Sequence, residues 1–225
     1  MTSKEFAQSS NKNSNMNKII ILGAGGHAKS LLGALESSNV QIEGLLDTQI
    51  PKGTLVLNHV VLGDESMLTQ EHRNTHQLVL GIGNVAVSPI RKRFFDEFKD
   101  KGFVFYTTKH TSALIHPSVT IDEGTQVMAG AIIQPLSKIG KNVILNTGSI
   151  IEHDCQIGNH CHIAPGATLG GGVVVGDGSF IGLGAKILPK VIIGKNVTVG
   201  AGSVVIRDIP DGTTVAGVPA KYLKK

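Results

Sequence analysis

Between Asn146 and Gly166 the chain reads NTGSIIEHDCQIGNHCHIAPG, with His153 set between Glu152 and Asp154 and with Cys155, Cys161 and His162 close behind. An imidazole beside a carboxylate has the makings of a general base whose tautomer and basicity are set by its neighbour. Gly171 follows further along the chain, and a backbone N–H left bare by glycine suits a developing oxyanion. The plain alternative is a solvated histidine on a polar face; the flanking carboxylates and the glycine weigh against it. A second set of residues lies near the start. GAGGHA, Gly23 to Ala28, matches G-x-G-x-x-A between a strand and a helix, where N–H groups and the helix dipole can hold a phosphate. Asp47 closes the next strand, where a carboxylate accepts hydrogen bonds from a ribose. A further glycine loop, Gly81 to Asn84, follows a neighbouring strand. The alternative there is a tight strand-to-helix turn that binds nothing.

These residues need elements to hold them, and an aliphatic period of six supplies one. Ile115, Ile121, Val127, Ile133, Ile139, Leu145, Ile151, Ile157, Ile163, Leu169, Val175, Ile181, Ile187, Ile193, Val199 and Val205 keep phase without a slip. Four positions after most of them stands a small side chain, such as Thr125, Ser137, Ser149, Cys155, Cys161 or Ala167. A period of six fits neither an amphipathic helix nor an alternating strand, but it does fit a solenoid of short flat strands and corners. Three hexads close one triangular coil, aliphatic side chains inward. Coils stacked at ~4.8 Å make a prism of about five coils, roughly 25 Å tall. The architecture resembles the left-handed parallel β-helix of the hexapeptide-repeat proteins. In that phase His153 points outward, and Gly171, three hexads later, lies over it in the next coil. Cys155 and Cys161 turn inward, where a thiolate is costly, so neither reads as a nucleophile. His162 either lines a site formed with a neighbouring subunit or covers a corner. His116, His153, His160 and His162 share no column, so the three convergent histidines of a metal site are not expected.

Ahead of the solenoid, NKIIILGAGGHAKSLLGALESS reads strand, glycine turn, helix, and QIEGLLD a second strand ending at Asp47. HQLVLGIGN is a third strand. SPIRKRFFDEFKDKG is a helix capped by Ser88, with Pro89 first and Ile90, Phe94 and Phe98 on one face. FVFYT is a further strand into the solenoid. Alternating strands and helices predict a small parallel, Rossmann-like α/β sheet. Its size, about 90 residues and half of a two-fold dinucleotide fold, suits a mononucleotide or nucleotide-sugar. The expected organisation is a disordered leader over 1–16, a nucleotide-sugar-binding domain over 17–110 and the β-helix over 111–225, with Met16 a candidate natural start.

Composition narrows the function classes. No apolar run reaches the ~18–20 residues of a membrane helix, and the polar start lacks the apolar core of a secretory signal. Two cysteines and no targeting segment fit a reducing cytoplasm. The net charge of +4 comes from scattered residues, and without a basic-aromatic platform nucleic-acid binding is not expected. A modest positive balance suits anionic small molecules.

The motifs GAGGHAK (Gly23–Lys29), LLD ending at Asp47, GIGN (Gly81–Asn84), NTGSIIEHDCQIGNHCHIAPGATLGGG (Asn146–Gly172) and AGVPAK (Ala216–Lys221) occur in one register across residues 17–225. In this combination the chain resembles bacterial sugar acetyltransferases that join a small nucleotide-sugar domain to a left-handed β-helix. These are the N-acetyltransferases for UDP-4-amino sugars of the bacillosamine pathway and for GDP-perosamine, with sialic acid O-acetyltransferases alongside. The resemblance implies acetyl-CoA as cosubstrate, no metal, and a homotrimer whose acetyl sites lie between two prisms. It implies His153 as general base, Asp154 as its support and Gly171 as donor to the thioester carbonyl. His162, Gly171, Leu183 and Ala201 would contact the coenzyme; Gly25, Gly26, His27, Asp47, Thr48, Gly83 and Asn146 would contact the nucleotide sugar. Thr48 departs from the second aspartate found in bacillosamine-type relatives, leaving the base and sugar preference open. The expected function is acetylation of the amine of a UDP- or GDP-linked 4-amino-4,6-dideoxy sugar by direct transfer. The alternatives are O-acetylation of a sialic-acid-like hydroxyl and a non-catalytic trimeric nucleotide-binding scaffold.

Overall fold

The computed structural model describes residues 18–38 and 40–223; the leader expected over 1–16 lies outside them. β1 (Lys18–Leu22) is apolar and buried after its first residue because it is covered on both faces, as a central parallel strand requires. It lies between β2 (Gln41–Leu46) and β5 (His76–Leu80), and β4 (His59–Gly63) and β3 (Leu55–Val56) extend the sheet beyond β2. All pairings are parallel except β3 with β4, a hairpin whose loop residues Leu57 and Asn58 both have positive φ. Helix α1 (Gly26–Glu36) buries Leu31, Leu32 and Leu35 against one face. After the short α2 (His72–Thr75), α3 (Pro89–Asp100) covers the other face.

Two expectations for this region are corrected. The buried side of α3 is Arg91, Phe95 and Phe98, not Ile90, Phe94 and Phe98. The helix is rotated so that Ile90 is exposed toward a cavity, while Phe94 lines that cavity and packs in part against the sheet-face core. FVFYT does not form a strand. Phe103 and Phe105 are buried, but only Phe105 bridges to Leu78, because the chain must leave the sheet to begin the first coil at Thr108–Lys109.

From Leu114–Ile115 to Val204–Val205 every short strand ends on one of the sixteen periodic aliphatics, and strands pair in parallel with partners three hexads away, as in Ile132↔Ile150 and Ile144↔His162. The coils stack into three sheets. The first, here the docking sheet, carries Ile144–Leu145 and His162–Ile163; the second carries Ile150–Ile151; the third carries Gln156–Ile157. An antiparallel pair, Thr214–Ala216 with Lys221–Tyr222, closes the docking sheet at its C-terminal end.

The small inward residues do more than leave room. Thr125, Ser137 and Ser179 donate to the carbonyls of Gly140, Glu152 and Gly194 at 2.7, 2.9 and 2.7 Å. Each also accepts from an N–H one coil further on. The Cys155 and Cys161 thiols contact Gly170 O and Gly176 O in the same way, at 3.3 and 3.2 Å. Burial pushes both thiols up, Cys161 to about 12, so they remain protonated rungs of this ladder.

The docking sheet meets the α/β sheet through outward side chains. Gln126 donates to Leu80 O at 2.8 Å and accepts from His27 Nε2 at 2.7 Å. Lys99 and the Phe105 N–H converge on Glu123. No helix among the described residues is long and apolar enough to cross a membrane.

Candidate active site

The C-terminal ends of β1, β2, β4 and β5 open onto a cavity of about 1220 Å³ whose far wall is the docking sheet. Single small-molecule sites are ~300–1,000 Å³, so this one has room for two ligands side by side. Its roof is the meeting of the two glycine loops. Gly23 has φ +98°, and a Cβ at Gly81 would stand 2.4 Å from Gly23 O, so neither position admits a side chain. Gly25 caps α1 without a side chain, and no acid occupies the first turn, so the N–H groups of that turn are left for a ligand. Around Gly25 and Gly26 there is open space.

Asp47 holds this turn. Its Oδ2 accepts from Ala24 N at 2.8 Å, and its Oδ1 from Gln49 N and Ile50 N at 2.8 and 3.0 Å. Burial pushes the carboxyl upward, but the three backbone donors outweigh it and leave the group more acidic than an ordinary aspartate. Asp47 is therefore an anionic clamp on the glycine turn as well as a cavity wall.

Two neutral histidines form the floor. Gln126 fixes His27 as the Nε2–H tautomer, since its own amide N–H₂ is committed to Leu80 O. His162 donates from Nδ1 to Asn84 O and Oδ1, both at 3.0 Å, and accepts at Nε2 from Asn146 Nδ2 at 3.0 Å. Burial, with the Arg91 guanidinium nearby, lowers His27 to about 4; burial, His27 and Arg91 lower His162 to about 3. Both ring nitrogens of His162 are engaged, so it ties the Gly81–Asn84 loop to the solenoid and has no lone pair left for a substrate proton. Arg91 is itself buried and donates to Leu80 O and Ile82 O, at 2.9 and 2.8 Å.

Where the docking sheet turns into the second sheet, Thr147, Pro165, Leu183 and Ala201 stand in one column on successive coils, and all four line the cavity. Leu183 is 59% exposed, an apolar edge for an extended chain such as a pantetheine arm. Gly25, Gly26, His27, Asp47, Thr48, Gly83, Asn146, His162, Leu183 and Ala201 thus share one cavity.

His153, Asp154 and Gly171 do not line it. They occupy the next corner, between the second and third sheets. There Asp154, at φ +60°, accepts from His153 Nδ1 at 2.7 Å, which leaves Nε2 as the free lone pair. A Cβ on Gly171 would lie 2.6 Å from His153 Cε1 and Nε2, so the ring rests directly on the glycine. The Gly171 N–H has no partner among the described residues, while its carbonyl is taken by Lys190 N. One chain therefore carries the His153–Asp154 pair, and a cavity with room for two ligands, on adjacent edges of the prism. Among the described residues no three His, Cys, Asp or Glu side chains are placed to hold a metal.

The cavity also takes in residues that sequence reasoning missed. Pro165 stands one coil before Leu183 and Thr147 two coils before it, so extending that column backwards finds both. Asn84 lies inside the GIGN loop. Glu65 and Arg93 carry no sequence signal, and Phe94, read as part of the apolar face of a helix, gives no sign in the sequence that it reaches the rim.

Comparison with family models matches the bacterial transferase hexapeptide (six repeats) at residues 136–171 and 172–207, and the PglD N-terminal domain at residues 18–98. No curated protein matches the chain. Among solved structures, a histidine-to-alanine mutant of GDP-perosamine N-acetyl transferase from Caulobacter crescentus, in complex with CoA and GDP-perosamine, is 37% identical with a TM-score of 0.87, covering 92% of this chain and 97% of that one. PerB from the same organism, in complex with the same two molecules, is 38% identical with a TM-score of 0.85 over the same shares. The acetyltransferase domain of PglB from Neisseria gonorrhoeae FA1090, in complex with acetyl coenzyme A, is 34% identical with a TM-score of 0.85, covering 92% of this chain and all of that one. With more than a third of its residues identical to PerB over nine-tenths of both chains, and with both halves matched by their own models, this chain belongs to the hexapeptide-repeat transferases with a PglD-type N-terminal domain, the family of the perosamine and PglB acetyltransferases.

Proposed function

We propose that the chain is an acetyl-CoA-dependent N-acetyltransferase that acetylates the amine of a nucleotide-linked 4-amino-4,6-dideoxy sugar. The observation that carries the reading is the single cavity that joins the open N-terminus of α1 to the Thr147–Pro165–Leu183–Ala201 column. The first suits a diphosphate and the second an extended thioester arm. The relatives above, with CoA and GDP-perosamine bound, supply the same pair of ligands. In this reading the β-helix is left-handed and begins near residue 111, after a nucleotide-sugar domain over 17–110. A cytoplasmic location fits two free, buried thiols.

The split site also favours a homotrimer. The second sheet runs between the corner that lines the cavity and the corner that carries His153. Of its six outward positions, Leu114, Ile132, Ile150 and Val204 are apolar and Thr168 and Lys186 polar, and Leu114 is 66% exposed. Three copies turning this sheet toward a threefold axis would set each cavity corner beside a neighbour's His153, and the heterologous contact would close. Each site then takes its ligands from one protomer and its base from the next.

The chemistry follows from the free atoms. Asp154 holds Nδ1–H, so His153 Nε2 takes the proton as the sugar amine forms its N–C bond to the thioester carbonyl. The carbonyl electrons move onto oxygen, where the unpartnered Gly171 N–H donates. Collapse breaks the C–S bond, and the proton from the imidazolium leaves with the coenzyme thiol. Neither cysteine is needed. The test is thiol release from acetyl-CoA with UDP- and GDP-linked 4-amino-4,6-dideoxy sugars and free sialic acid, with His153→Ala as control. Turnover of an amino-sugar nucleotide, lost in the variant, supports the proposal. Release with sialic acid alone would replace it with O-acetylation, and no release from any acceptor would leave a binding scaffold.

A further inference from the structure

We infer that the Glu65 carboxylate reads the base of the bound nucleotide and that the base it selects is guanine. The inference rests on the nucleotide-sugar reading above and names the nucleotide. It begins with the order of strand ends along the cavity rim: β5, β1, β2, β4. A diphosphate belongs at β1, over the open first turn of α1. The transferred amine must point toward the solenoid, on the side of Asn84 and His162, where the loop after β5 meets the docking sheet. The ribose and base then run the other way, over β2 and on to the end of β4. That end is adjacent to Asp47, whose N–H donates to Gly63 O at 2.8 Å, and Glu65 stands just beyond it, in a 3-10 turn at the cavity wall.

Among the described residues two carboxylates line the cavity, Asp47 and Glu65. Three backbone N–H groups already occupy both oxygens of Asp47. Glu65 is half-buried, and among the described residues its carboxylate has no hydrogen bond and no cation. An acceptor-only group on the wall of an anion site needs donors on its ligand. Guanine presents two adjacent donors, N1–H and the N2 amino group, to match two carboxylate oxygens. Uracil and thymine present one N–H between two carbonyl oxygens, whose lone pairs a carboxylate repels. Adenine and cytosine set a ring-nitrogen lone pair beside their amino group. Glu65 therefore attracts one base and works against the others, which is how a site gains discrimination rather than mere affinity.

Calorimetric titration of GDP and of UDP into the full-length protein, as wild type, Glu65→Ala and Glu65→Gln, tests this without any acyl transfer. Hydrogen bonds to a charged group are worth enough that wild type should bind GDP about 30-fold tighter than UDP, and Glu65→Ala should lower GDP affinity about 30-fold. UDP affinity should stay within about 2-fold or improve. Glu65→Gln should fall between, since its oxygen can still meet N1–H while its amide confronts the N2 amino group. Equal losses for both nucleotides would assign Glu65 to the ribose and overturn the inference, as would wild-type preference for UDP. A Glu65-dependent GDP preference in a protein that acetylates no amino sugar would keep this inference and reject the acetyltransferase reading alone.

Discussion

Replacing Gly171 by alanine adds one methyl group where the His153 ring rests on the backbone. The Gly171 backbone is not in the left-handed region, so alanine meets no strain there, and the lost chain entropy of glycine gives a gain of about 0.4–1 kcal/mol in stability. The new Cβ, however, would lie 2.6 Å from two atoms of the His153 ring and 3.2 Å from a third. Carbon contacts settle at about 3.5–4.0 Å, so the ring must retreat by about 1 Å. The His153 side chain is 60% exposed, so the retreat is easy for the fold. For the reaction it is not. The move carries Nε2 away from the amine and strains the 2.7 Å bond to Asp154, and a misplacement of about 1 Å costs about 100-fold in rate. Gly171→Ala should therefore lower kcat about 100-fold in the thiol-release assay, with a Tm equal to or slightly above wild type. The KM for acetyl-CoA should change far less than kcat, because alanine keeps the backbone N–H and the proposed coenzyme column lies on another corner. Near-wild-type turnover would refute the placement of the base, and a large drop in Tm would make Gly171 a packing residue instead.

Other expectations follow from the same geometry. His153→Ala should reduce kcat by about 100- to 10,000-fold with the oligomer intact, and Asp154→Asn by less, since an amide can still orient the ring; size-exclusion chromatography beside the assay reads both. Mixing His153→Ala protomers with Leu183→Glu protomers under exchange should restore part of the activity that neither has alone, and no recovery would place the whole site within one chain. Asp47→Ala frees three backbone N–H groups and should raise the KM for the nucleotide sugar far more than that for acetyl-CoA; equal effects would undo the division between the two halves of the cavity. His27 and His162 are held neutral in the fold, to about 4 and about 3, so the unfolded chain takes up their protons first as pH falls below about 6.5. Their contribution is intact above that pH and declines below it by about 1.4 kcal/mol per unit each, so Tm should drop by several degrees between pH 7 and 5 and less in His27→Gln. A flat Tm across that window would mean the two rings are hydrated.

The solenoid is legible because its signal is summed over sixteen hexads, each of which buries one aliphatic and repeats at a spacing no other element shares. The same arithmetic sets Gly171 over His153. Other features are hidden for identifiable reasons. The β3–β4 hairpin turns on Leu57 and Asn58, both at positive φ, where an Asn-Gly pair would have announced it. The corner position three places after each aliphatic is left-handed from Gly124 to Gly202, yet Leu136, Asp154, His160 and Lys190 fill it as well as glycine, which blurs the pattern. Helix α3 shows two apolar stripes, and only the cavity decides that Ile90 and Phe94 belong to the ligand side. The separation of His153 from the Thr147–Pro165–Leu183–Ala201 column is implicit in the spacing, since Thr147 and His153 stand one hexad, and so one corner, apart. Its consequence depends on how copies pack, which no local pattern encodes.

The stacking of coils also makes the prism a graduated scale. The α/β half is anchored at two heights, on Gln126 through Leu80 and His27 and, two coils on, on His162 through Asn84, and His153, the proposed base, sits one and a half turns beyond Gln126. The length of chain between anchor and base therefore encodes a height, in steps of about 4.8 Å for every coil. Inserting one complete coil between Gln126 and His153 would keep every aliphatic inward and every corner on its own edge, yet lift His153, and with it His162 and its tie to Asn84, by one step from the nucleotide turn. A single hexad would instead carry it to the wrong edge. Within such a scaffold, the reach from nucleotide turn to His153 is written as chain length, and a change of acceptor length can be met by whole turns once the Asn84 loop is given a new partner on the docking sheet.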